Sequence, residues 1–457
     1  MSTVENSAAA SQARSLRVSA VVMLVGGFAG NAAASEVEDF VSAELRNLSA
    51  TPVQSAVGTV IGQICPSGTI ITDADLQARC NEIAVAGVIN ADPADDDGAR
   101  DALQAMGAEE DAVIASSRVD SRSGQIDAIG QRLTTLRGGA PAVAARPGAF
   151  NLSGGAAGDG GSMPWGFFVS GHYASTDRDT TAREAGFEAD DFGVTAGVDY
   201  AFSDRLVLGI AGGYNNSDAD IDNNGGKLET DSYSVFGYWS LYPGNQWFVD
   251  AMVGYTDNEH DQTRNVIYNI AAIGGGTTAV NNAALSDTDS EEWSASITAG
   301  RDFGVGRWVI TPLARFDYAD VEIDGFTETM AQQTAAGSGL ALAIDGQDFE
   351  SMMLTAGTRL TTQFDTSLGA MFPELSVEYV HEFKNDNAPI TGRFVNDSSN
   401  TTIVLLTDGP DRNFFNVGAG LTAAFSDNAT GYVRYQGLFG YADLDVHAVE
   451  IGIRATF

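Results

Sequence analysis

The sequence predicts a mainly β fold: a 12-stranded antiparallel transmembrane β-barrel, preceded by a small α-helical segment. Three observations support this prediction. Apolar and polar residues alternate through the second half of the chain, short and long connections alternate between the predicted strands, and the composition is rich in Gly (52 of 457 residues) with 19% charged residues. That composition is too polar for a bundle of membrane helices and too apolar for a disordered chain.

The carboxy-terminal stretch, Val446 to Phe457, shows the alternation most clearly. Its two faces are Val449, Ile451, Ile453, Ala455 and Phe457 on one side, and Glu450, Gly452, Arg454 and Thr456 on the other. A period of two with one apolar side is typical of a strand between two different environments. Either a protein core or lipid explains this apolar face.

The connections decide between core and lipid. We predict strands near residues 165–176, 190–202, 205–217, 228–241, 246–258, 287–302, 307–321, 348–363, 372–383, 413–425, 428–438 and 446–457. Short connections alternate with long polar ones such as 260–286, 322–347 and 384–412. Short turns at one end and long loops at the other are typical of outer-membrane barrels, in which closure also removes the sheet edges that lipid does not tolerate.

Charge excludes one class of partner. The formal net charge is -37, from 24 Lys and Arg against 61 Asp and Glu. A chain this acidic repels phosphate backbones, so we expect no nucleic-acid partner.

The amino-terminal residues predict export. Arg14 and Arg17 precede an apolar run from Val18 to Ala29, and small residues follow up to Ala34. This pattern predicts a signal peptide over residues 1–34, because the apolar run is shorter than the roughly 20 residues that a spanning helix needs.

Residues 35–111 predict a short helical segment. Asp73 is a favourable amino-terminal cap for the helix-forming residues after it. Cys65 and Cys80 are the two cysteines of the chain, and an exported protein favours a disulfide between them. Residues 138–164, rich in Gly, Ala and Pro, predict a linker.

The barrel region resembles the translocator domain of bacterial autotransporters, the type V secretion family. The resemblance covers residues 165–457 and rests on the stretches WGFFVSGHY, FGVTAGVDYAFSDRLVLGIAGGYNNSDAD, DSYSVFGYWSLYPGNQWFVDAMVGY, ITPLARFDYADVEIDGFTE, FPELSVEYVHEF and IGIRATF. It implies a cell-surface passenger, a helix that threads the pore, here residues 112–137, and a barrel assembly signal at Phe457. The implied partners are the Sec translocon, periplasmic chaperones, the barrel-assembly machinery, and outer-membrane lipid with lipopolysaccharide.

The chain departs from the family in two respects. The passenger-like segment, residues 35–111, is unusually short and has no internal repeat. Some relatives cleave their own linker helix at an Asn-Asn pair, and residues 112–137 contain no such pair. We therefore expect the segment to stay attached.

Catalytic and metal sites have weak support in the sequence. The helical segment contains no His, and the four histidines of the chain, His172, His260, His381 and His447, all fall in the barrel region. We interpret them as lumen, girdle or loop residues and expect no cofactor. Asp218, Asp220, Asp222 and Glu229 resemble part of a Ca²⁺ loop, but Asn223 stands where that motif needs Gly. The other interpretation of these four is an acidic external loop.

Charged residues on the inward face of the strands predict how the pore is lined. We expect these side chains to solvate the lumen and hold the helix, since an Arg facing lipid at the bilayer midplane costs about 2–4 kcal/mol. They are Asp250, Arg315, Arg434, Glu450 and Arg454.

Three functions follow as hypotheses. The first is a non-enzymatic barrel that anchors, and exports, its own helical segment in a structural or adhesive role toward an unknown surface ligand. The second is a diffusion channel of the porin kind. The third is a surface hydrolase, which would need His260 or His381 as its base.

Overall fold

The structure is a computed structural model. It describes residues 31–65, 71–89, 97–116, 125–126, 128–134, 165–273, 275–367, 369–384, 389–426 and 429–456. The signal peptide prediction therefore lies almost entirely outside the described residues, as do residues 138–164 and Phe457. The first described helix runs through the predicted cleavage point at Ala34.

Five short helices form the amino-terminal part, which we call the helical domain. They are α1 (Asn31–Leu48), α2 (Pro52–Ile64), α3 (Ala74–Ile89), α4 (Asp97–Ala105) and α5 (Ala112–Ser116), with a 3₁₀ turn at Glu109–Asp111 before α5. Thr51 caps α2 by accepting a hydrogen bond from the Gln54 amide at 3.2 Å. Asp73 caps α3 by accepting from the amides of Asp75 and Leu76 at 2.9 and 2.8 Å, so the predicted cap is confirmed.

The disulfide between Cys65 and Cys80 is present, with their Cα atoms 5.5 Å apart. It joins the end of α2 to the middle of α3. Both cysteines are buried in the core of the helical domain, where the cross-link holds the two helices together.

Twelve long strands form the barrel. They are β1 (Trp165–Arg178), β2 (Phe187–Ser203), β3 (Leu206–Ile221), β4 (Gly226–Gly244), β5 (Trp247–Ala271), β6 (Thr277–Arg301), β7 (Trp308–Ile323), β8 (Gln347–Thr362), β9 (Gly369–Glu382), β10 (Asn413–Ser426), β11 (Ala429–Phe439) and β12 (Leu444–Thr456). Short strands also occur at Phe303–Val305, Thr329–Met330 and Phe364–Thr366.

Every barrel strand pairs antiparallel with its neighbours, and the sheet closes. The first strand pairs with the last, for example Val169 opposite Ile453, and β6 pairs with β7. The predicted twelve-stranded antiparallel barrel is confirmed.

The two faces of the barrel differ as predicted. Ile451 and Ile453 on β12 are 62% and 64% exposed, whereas the preceding residue, Glu450, is buried at 7%. Two rings of aromatic residues face outward. The ring at the short-turn end includes Trp165, Tyr200 and Trp247, and the opposite ring includes Tyr173, Phe192, Tyr214, Tyr233 and Trp293. From Trp165 to Tyr173 the strand is about 26 Å long, and a tilt of about 35–45° gives it a height of roughly 20 Å, comparable to the apolar band of an outer-membrane barrel.

Three predicted loops are corrected by the structure. The stretch 260–286 is a hairpin, because β5 continues to Ala271 and β6 begins at Thr277. These strands have 25 residues each, whereas about 9–11 residues cross a bilayer. They therefore project well beyond the upper aromatic ring.

The stretches 322–347 and 384–412 are also not simple loops. Together they contribute a small sheet of four short strands: Phe326–Thr327, Leu342–Ile344, Pro389–Phe394 and Ile403–Leu406. We call this sheet, with the projecting β5–β6 hairpin, the external cup. By the usual orientation of such barrels, the cup lies on the outer side and the short turns lie in the periplasm.

A ring of carboxylates surrounds the barrel just above the upper aromatic ring, on the outward face of β2 to β8. Many of them stand directly opposite another carboxylate across the strands, for example Asp190 opposite Asp218, and Glu259 opposite both Asp231 and Asp289. Like charges in directly opposed positions destabilise a sheet. We call this ring the acidic belt.

The acidic belt predicts a salt-dependent stability of the barrel. Replacing Glu259 with Gln removes two like-charge contacts and should stabilise the barrel by about 0.2–1 kcal/mol per contact at low salt. The gain should disappear at about 1 M NaCl, where the screening length falls to about 3 Å. Urea unfolding midpoints of the two proteins at low and high salt measure the effect.

Asp204→Asn, in the periplasmic turn between β2 and β3, is the matched control for loss of one negative charge. The urea unfolding midpoint of this control should depend on salt in the same way as that of wild type. A Glu259→Gln protein that is less stable than wild type at low salt would show that the belt is not repulsive.

Candidate functional site

A helical segment fills the middle of the barrel lumen. Residues 125–126 and 128–134 are helical, within the range predicted for the pore helix. Ile129 and Leu133 are buried against inward-facing side chains of the barrel, among them Phe168, Phe236 and Met252. The apolar side of the segment thus packs against one side of the lumen wall.

An ion pair fixes this segment to the barrel. The Arg132 guanidinium donates two hydrogen bonds to the Asp199 carboxylate, Nε to Oδ2 and Nη2 to Oδ1, both at 2.6 Å. Both side chains are buried, and the Tyr238 hydroxyl donates a further bond to Asp199 at 3.2 Å. Across the lumen, Arg359 Nη1 donates to Thr134 Oγ1 at 2.7 Å. A bidentate pair of this kind sets the orientation and depth of the helix.

The charged side chains predicted to line the lumen lie inside the barrel, but they bond mainly to other side chains of the barrel wall and not to the helix. Arg315 is 2.9 Å from Asp317 and 3.6 Å from Glu378, Arg434 is 4.0 Å from Glu374, and Glu450 accepts a hydrogen bond from Tyr432. Asp250 accepts from Ser240. The side chains that bind the helix, Asp199 and Arg359, were not among those predicted. The only sequence signal for them is their inward-facing position in the strand alternation.

Little open space remains beside the helix. A cavity of about 50 Å³ lies between Gly130 and Thr134 of the helix and Arg315, Arg359 and Arg434 of the barrel. This volume accommodates one or two water molecules. The described lumen is therefore plugged rather than open.

We predict that Asp199 holds the plug in place. In Asp199→Ala, Arg132 keeps its charge without its partner, which costs about 3–5 kcal/mol for a buried pair. The helix should leave its position and the single-channel conductance of the purified full-length protein in planar bilayers should rise well above that of wild type.

Asp302→Asn is the control, because Asp302 is also buried but bonds Thr311 rather than the helix. Its conductance should equal that of wild type. Equal conductance for Asp199→Ala, with the folded barrel verified by heat-modifiable gel mobility, would show that the ion pair does not retain the helix.

The helical domain sits in the external cup. Its core residues, such as Leu45, Ile83 and Leu103, belong to one buried cluster with Val266 and Tyr268 of the projecting hairpin. Helix α4 lies against β5 so closely that a Cβ atom added to Gly98 would stand 2.4 Å from the Asn269 carbonyl oxygen. The domain and the cup therefore share a hydrophobic core.

Polar contacts tie the two parts together around this core. Thr278 donates to Glu82 at 2.7 Å, and the Gly339 amide donates to Asp75 at 3.0 Å. Arg264 Nη1 donates to the Ala105 carbonyl at 2.9 Å. These bonds join α3 and α4 to three separate parts of the cup.

A cluster of buried charges lies at this junction. Arg264 donates to both oxygens of Glu328 at 2.7 Å, and both side chains are buried. Glu109, Glu110 and Asp111 are buried nearby, and Glu109 Oε2, Glu110 Oε2 and both Asp111 carboxylate oxygens have no hydrogen-bond partner among the described residues. The charge of Arg264 is already balanced by Glu328. The three acids Glu109, Glu110 and Asp111 therefore lie near a cation that is paired with a fourth acid.

Burial dominates the titration of these acids. It raises the pKa of Glu109 to about 7 and that of Asp111 to about 7, and it raises the pKa of Glu110, with repulsion from Glu109 as the next cause. The attraction of Arg264 opposes all three shifts. The docked domain therefore binds protons that an undocked, solvated domain releases.

This linkage predicts pH-dependent docking. A raised pKa in the docked state adds stability that is fully present below the ordinary carboxyl pKa of about 4 and is lost as the pH rises through about 7. The melting temperature of the helical circular dichroism signal should be higher at about pH 5 than at about pH 7.5, with the docking equilibrium at least about tenfold weaker at the higher pH.

The melting temperature of the Asp111→Asn protein should differ less between pH 5 and pH 7.5 than that of wild type, because one titrating group is removed. A melting temperature that rises from pH 5 to 7.5, or an equal change in both proteins, would contradict the linkage.

The histidines lie where the sequence places them, in the barrel, and their partners are mostly neutral. His172 contacts Asn215 in the lumen, His381 contacts Asn413, and His447 contacts Tyr435. The ring nitrogens of His260 contact the hydroxyls of Thr230 at 2.8 Å and Ser290 at 3.0 Å. In a Ser-His-Asp site a carboxylate accepts a hydrogen bond from Nδ1 of the histidine. In this protein the Nδ1 atom of His260 contacts the Thr230 hydroxyl instead.

Three of the four suggested Ca²⁺ residues lie on strands, and only Asp222 lies in the connection between β3 and β4. Asp218 and Asp220 lie on β3, and Glu229 lies on β4, all on the outward face, where Lys227 is 2.7 Å from Asp220. Asp222 accepts instead from Thr180 at 3.0 Å. Within the described ranges, no group of three or more His, Cys, Asp or Glu side chains is placed to hold a metal ion. The external-loop interpretation is thus corrected for Asp218, Asp220 and Glu229, which belong to the acidic belt, whereas Asp222 lies in the external connection between β3 and β4.

These features define a class of protein. Among the described residues, no helix combines the length and apolar character needed to cross a membrane. A closed twelve-stranded barrel with outward aromatic rings and an α-helix through its lumen is an outer-membrane translocator-type barrel, and the protein belongs in the bacterial outer membrane.

Comparison with known proteins identifies the family. The autotransporter β-domain profile matches residues 167–436, so the chain belongs to the autotransporter β-domain family. It is 28% identical over 249 residues to outer membrane protein A of Rickettsia conorii, covering 52% of this chain and 11% of that one. It is 26% identical over 234 residues to esterase EstA of Pseudomonas aeruginosa, covering 50% of this chain and 33% of that one. The chain thus spans a third or less of these relatives.

A solved structure shares the fold. The translocator domain of the autotransporter NalP from Neisseria meningitidis superposes with a TM-score of 0.51 at 16% identity, covering 74% of this chain and 98% of that one.

Proposed function

We propose that the barrel exports its own short helical domain and then retains it on the cell surface. The observation that carries this proposal is the position of the helical domain, in the cup at the end of the barrel opposite the short turns. The lumen segment at 125–134 lies between that domain and β1 in the chain, so the chain passes through the barrel to reach the cup.

The retained domain has a structural or adhesive role in this proposal. Its contacts with the cup bury a common core, which favours a domain that stays docked over one that is released. The helical segment has no His, and we therefore assign no catalytic activity to it. The esterase activity in the name of EstA is not transferred, because the alignment covers a third of that protein.

The proposed partners follow from the route. The chain would cross the inner membrane by the Sec translocon, be carried by periplasmic chaperones, and be inserted by the barrel-assembly machinery. On the outside, the acidic belt lies at headgroup level, where divalent ions bridge carboxylates to lipopolysaccharide phosphates. A free diffusion channel is not favoured, since the described helical segment packs in the middle of the lumen.

Protease access in intact cells tests the export. An epitope tag with a protease site, inserted at Asp95 between α3 and α4, should be cleaved from outside and should bind antibody without permeabilisation. The insertion point lies in the polar stretch DPADDDG of the sequence, and polar connections between helices are favourable insertion sites.

The matched control carries the same tag at Asp204, in the turn between β2 and β3. It should be protected until the outer membrane is opened. If both tags are protected in intact cells, the helical domain is periplasmic and the proposed export is wrong.

A further inference from the structure

The junction between the helical domain and the barrel rim contains a second feature that the export proposal does not use. A cavity of about 470 Å³ lies between α4, the 3₁₀ turn, and the connections 179–186 and 222–225 of the barrel. Its volume is within the usual range for small-molecule sites, roughly 300–1,000 Å³.

The lining of the cavity is acidic. Five carboxylates line it, Asp101, Glu109, Glu110, Glu184 and Asp222, against one guanidinium, that of Arg183. That guanidinium is already paired with Asp408 at 3.3 Å. Glu184 is paired with Arg178 at 2.5 Å, and Asp222 accepts a hydrogen bond only from the neutral Thr180 hydroxyl at 3.0 Å. Four carboxylates of the lining, Asp101, Glu109, Glu110 and Asp222, therefore have no salt bridge to a cation among the described residues.

Two of these groups are built into the cavity wall rather than solvated on its rim. Glu109 and Glu110 are each 5% exposed, and each has one carboxylate oxygen with no hydrogen-bond partner among the described residues. The nearest buried cation, Arg264, is held by Glu328. These two oxygens are themselves shielded from the cavity, but a cation bound against the Glu109 and Glu110 side chains would offset part of the electrostatic cost of burying their charge.

The chemistry of the wall favours an organic cation over a metal ion. Within the described part of the chain, no three acids are grouped closely enough to coordinate a metal. The remaining lining includes amide and hydroxyl groups, those of Thr51, Gln104, Asn223, Asn224 and Asn265. A primary ammonium has three N–H donors and is satisfied by several such oxygens at once.

The wall also discriminates among organic cations. None of the described residues that line the cavity is aromatic, whereas quaternary ammonium groups are recognised by aromatic cages. We propose that this cavity binds a primary alkylammonium group, held by Glu109 and Glu110 with Asp101 at the rim. The ligand is a free aliphatic amine or the lysine side chain of a peptide, which share this chemistry.

Isothermal titration calorimetry tests the site on the purified full-length protein in an uncharged maltoside detergent. Cadaverine and N-acetyl-lysine methylamide are the two probes, and tetramethylammonium and calcium chloride are the comparison cations. We expect one-to-one binding of a primary amine and at least about tenfold weaker binding of tetramethylammonium. Tighter binding of cadaverine assigns the free amine, and tighter binding of the lysine derivative assigns a peptide.

The affinity should depend on pH in a defined direction. The groups that face Glu109 are Gln104, Glu110, Asp111, Arg264 and Glu328, with Asp101, Glu184, Asp222 and Arg183 across the cavity. Because burial raises the pKa of Glu109 to about 7, the amine meets an ionised carboxylate more often as pH rises. Binding should therefore be about tenfold tighter at pH 8 than at pH 6.

Variants locate the site. The Glu109→Gln, Glu110→Gln double substitution should weaken amine binding at least about tenfold. Asp101→Asn, at an exposed position that folding does not depend on, should weaken it about threefold. Asp97→Asn is the control on the same helix, because Asp97 pairs with Arg100 and does not line the cavity.

Four results would overturn the assignment: no amine binding, amine binding equal to that of tetramethylammonium, calcium binding with no amine binding, or amine affinity unchanged in Asp101→Asn and the double variant. The export proposal is tested in cells by tag access and this site is tested in detergent. Failure of one therefore leaves the other standing.

Discussion

The constraint on which this structure depends is that lipid offers no hydrogen bonds to a polypeptide backbone. Each amide left unpaired in the bilayer costs several kcal/mol, so a membrane-spanning sheet has to close. Closure here occurs where the first strand, β1, pairs with the last strand, β12. Once the sheet is closed, the strand alternation assigns every side chain either to lipid or to the lumen.

The lumen then becomes an enclosed polar space that has to be filled. Its charges pair with one another, as Arg315 does with Asp317, and one pair, Arg132 with Asp199, crosses from the barrel to the helix. The barrel thus uses the same ion-pair chemistry for its own wall and for its plug. Above the membrane the inward face is apolar instead of polar. The strand extensions point apolar residues inward there, and these residues pack against a folded domain instead of a single helix.

The sequence predicted the transmembrane part well because lipid imposes a strict period of two. Ile451 and Ile453 can only face outward if Glu450 and Gly452 face inward, and that pattern is local. The extensions of β5 and β6 were missed because residues 258–265 and 286–290 are entirely polar, so the apolar alternation stops before it returns at residues such as Val266 and Tyr268. The Asp199–Arg132 pair joins residues 67 positions apart, and the burial of Glu109 depends on docking onto a hairpin more than 150 residues later. Neither is visible in a local pattern.

The covalent route from the docked domain into the lumen is short. Only residues 117–124 separate α5 from the helical segment at 125, and a chain of this length spans at most about 30 Å. A domain that leaves the cup therefore remains within that radius of it, at an effective concentration in the millimolar range. Weak docking contacts are sufficient under these conditions. Under the export proposal, a domain that opens would reclose on this short connection and not be lost to the medium, so its docking would be a local equilibrium independent of dilution.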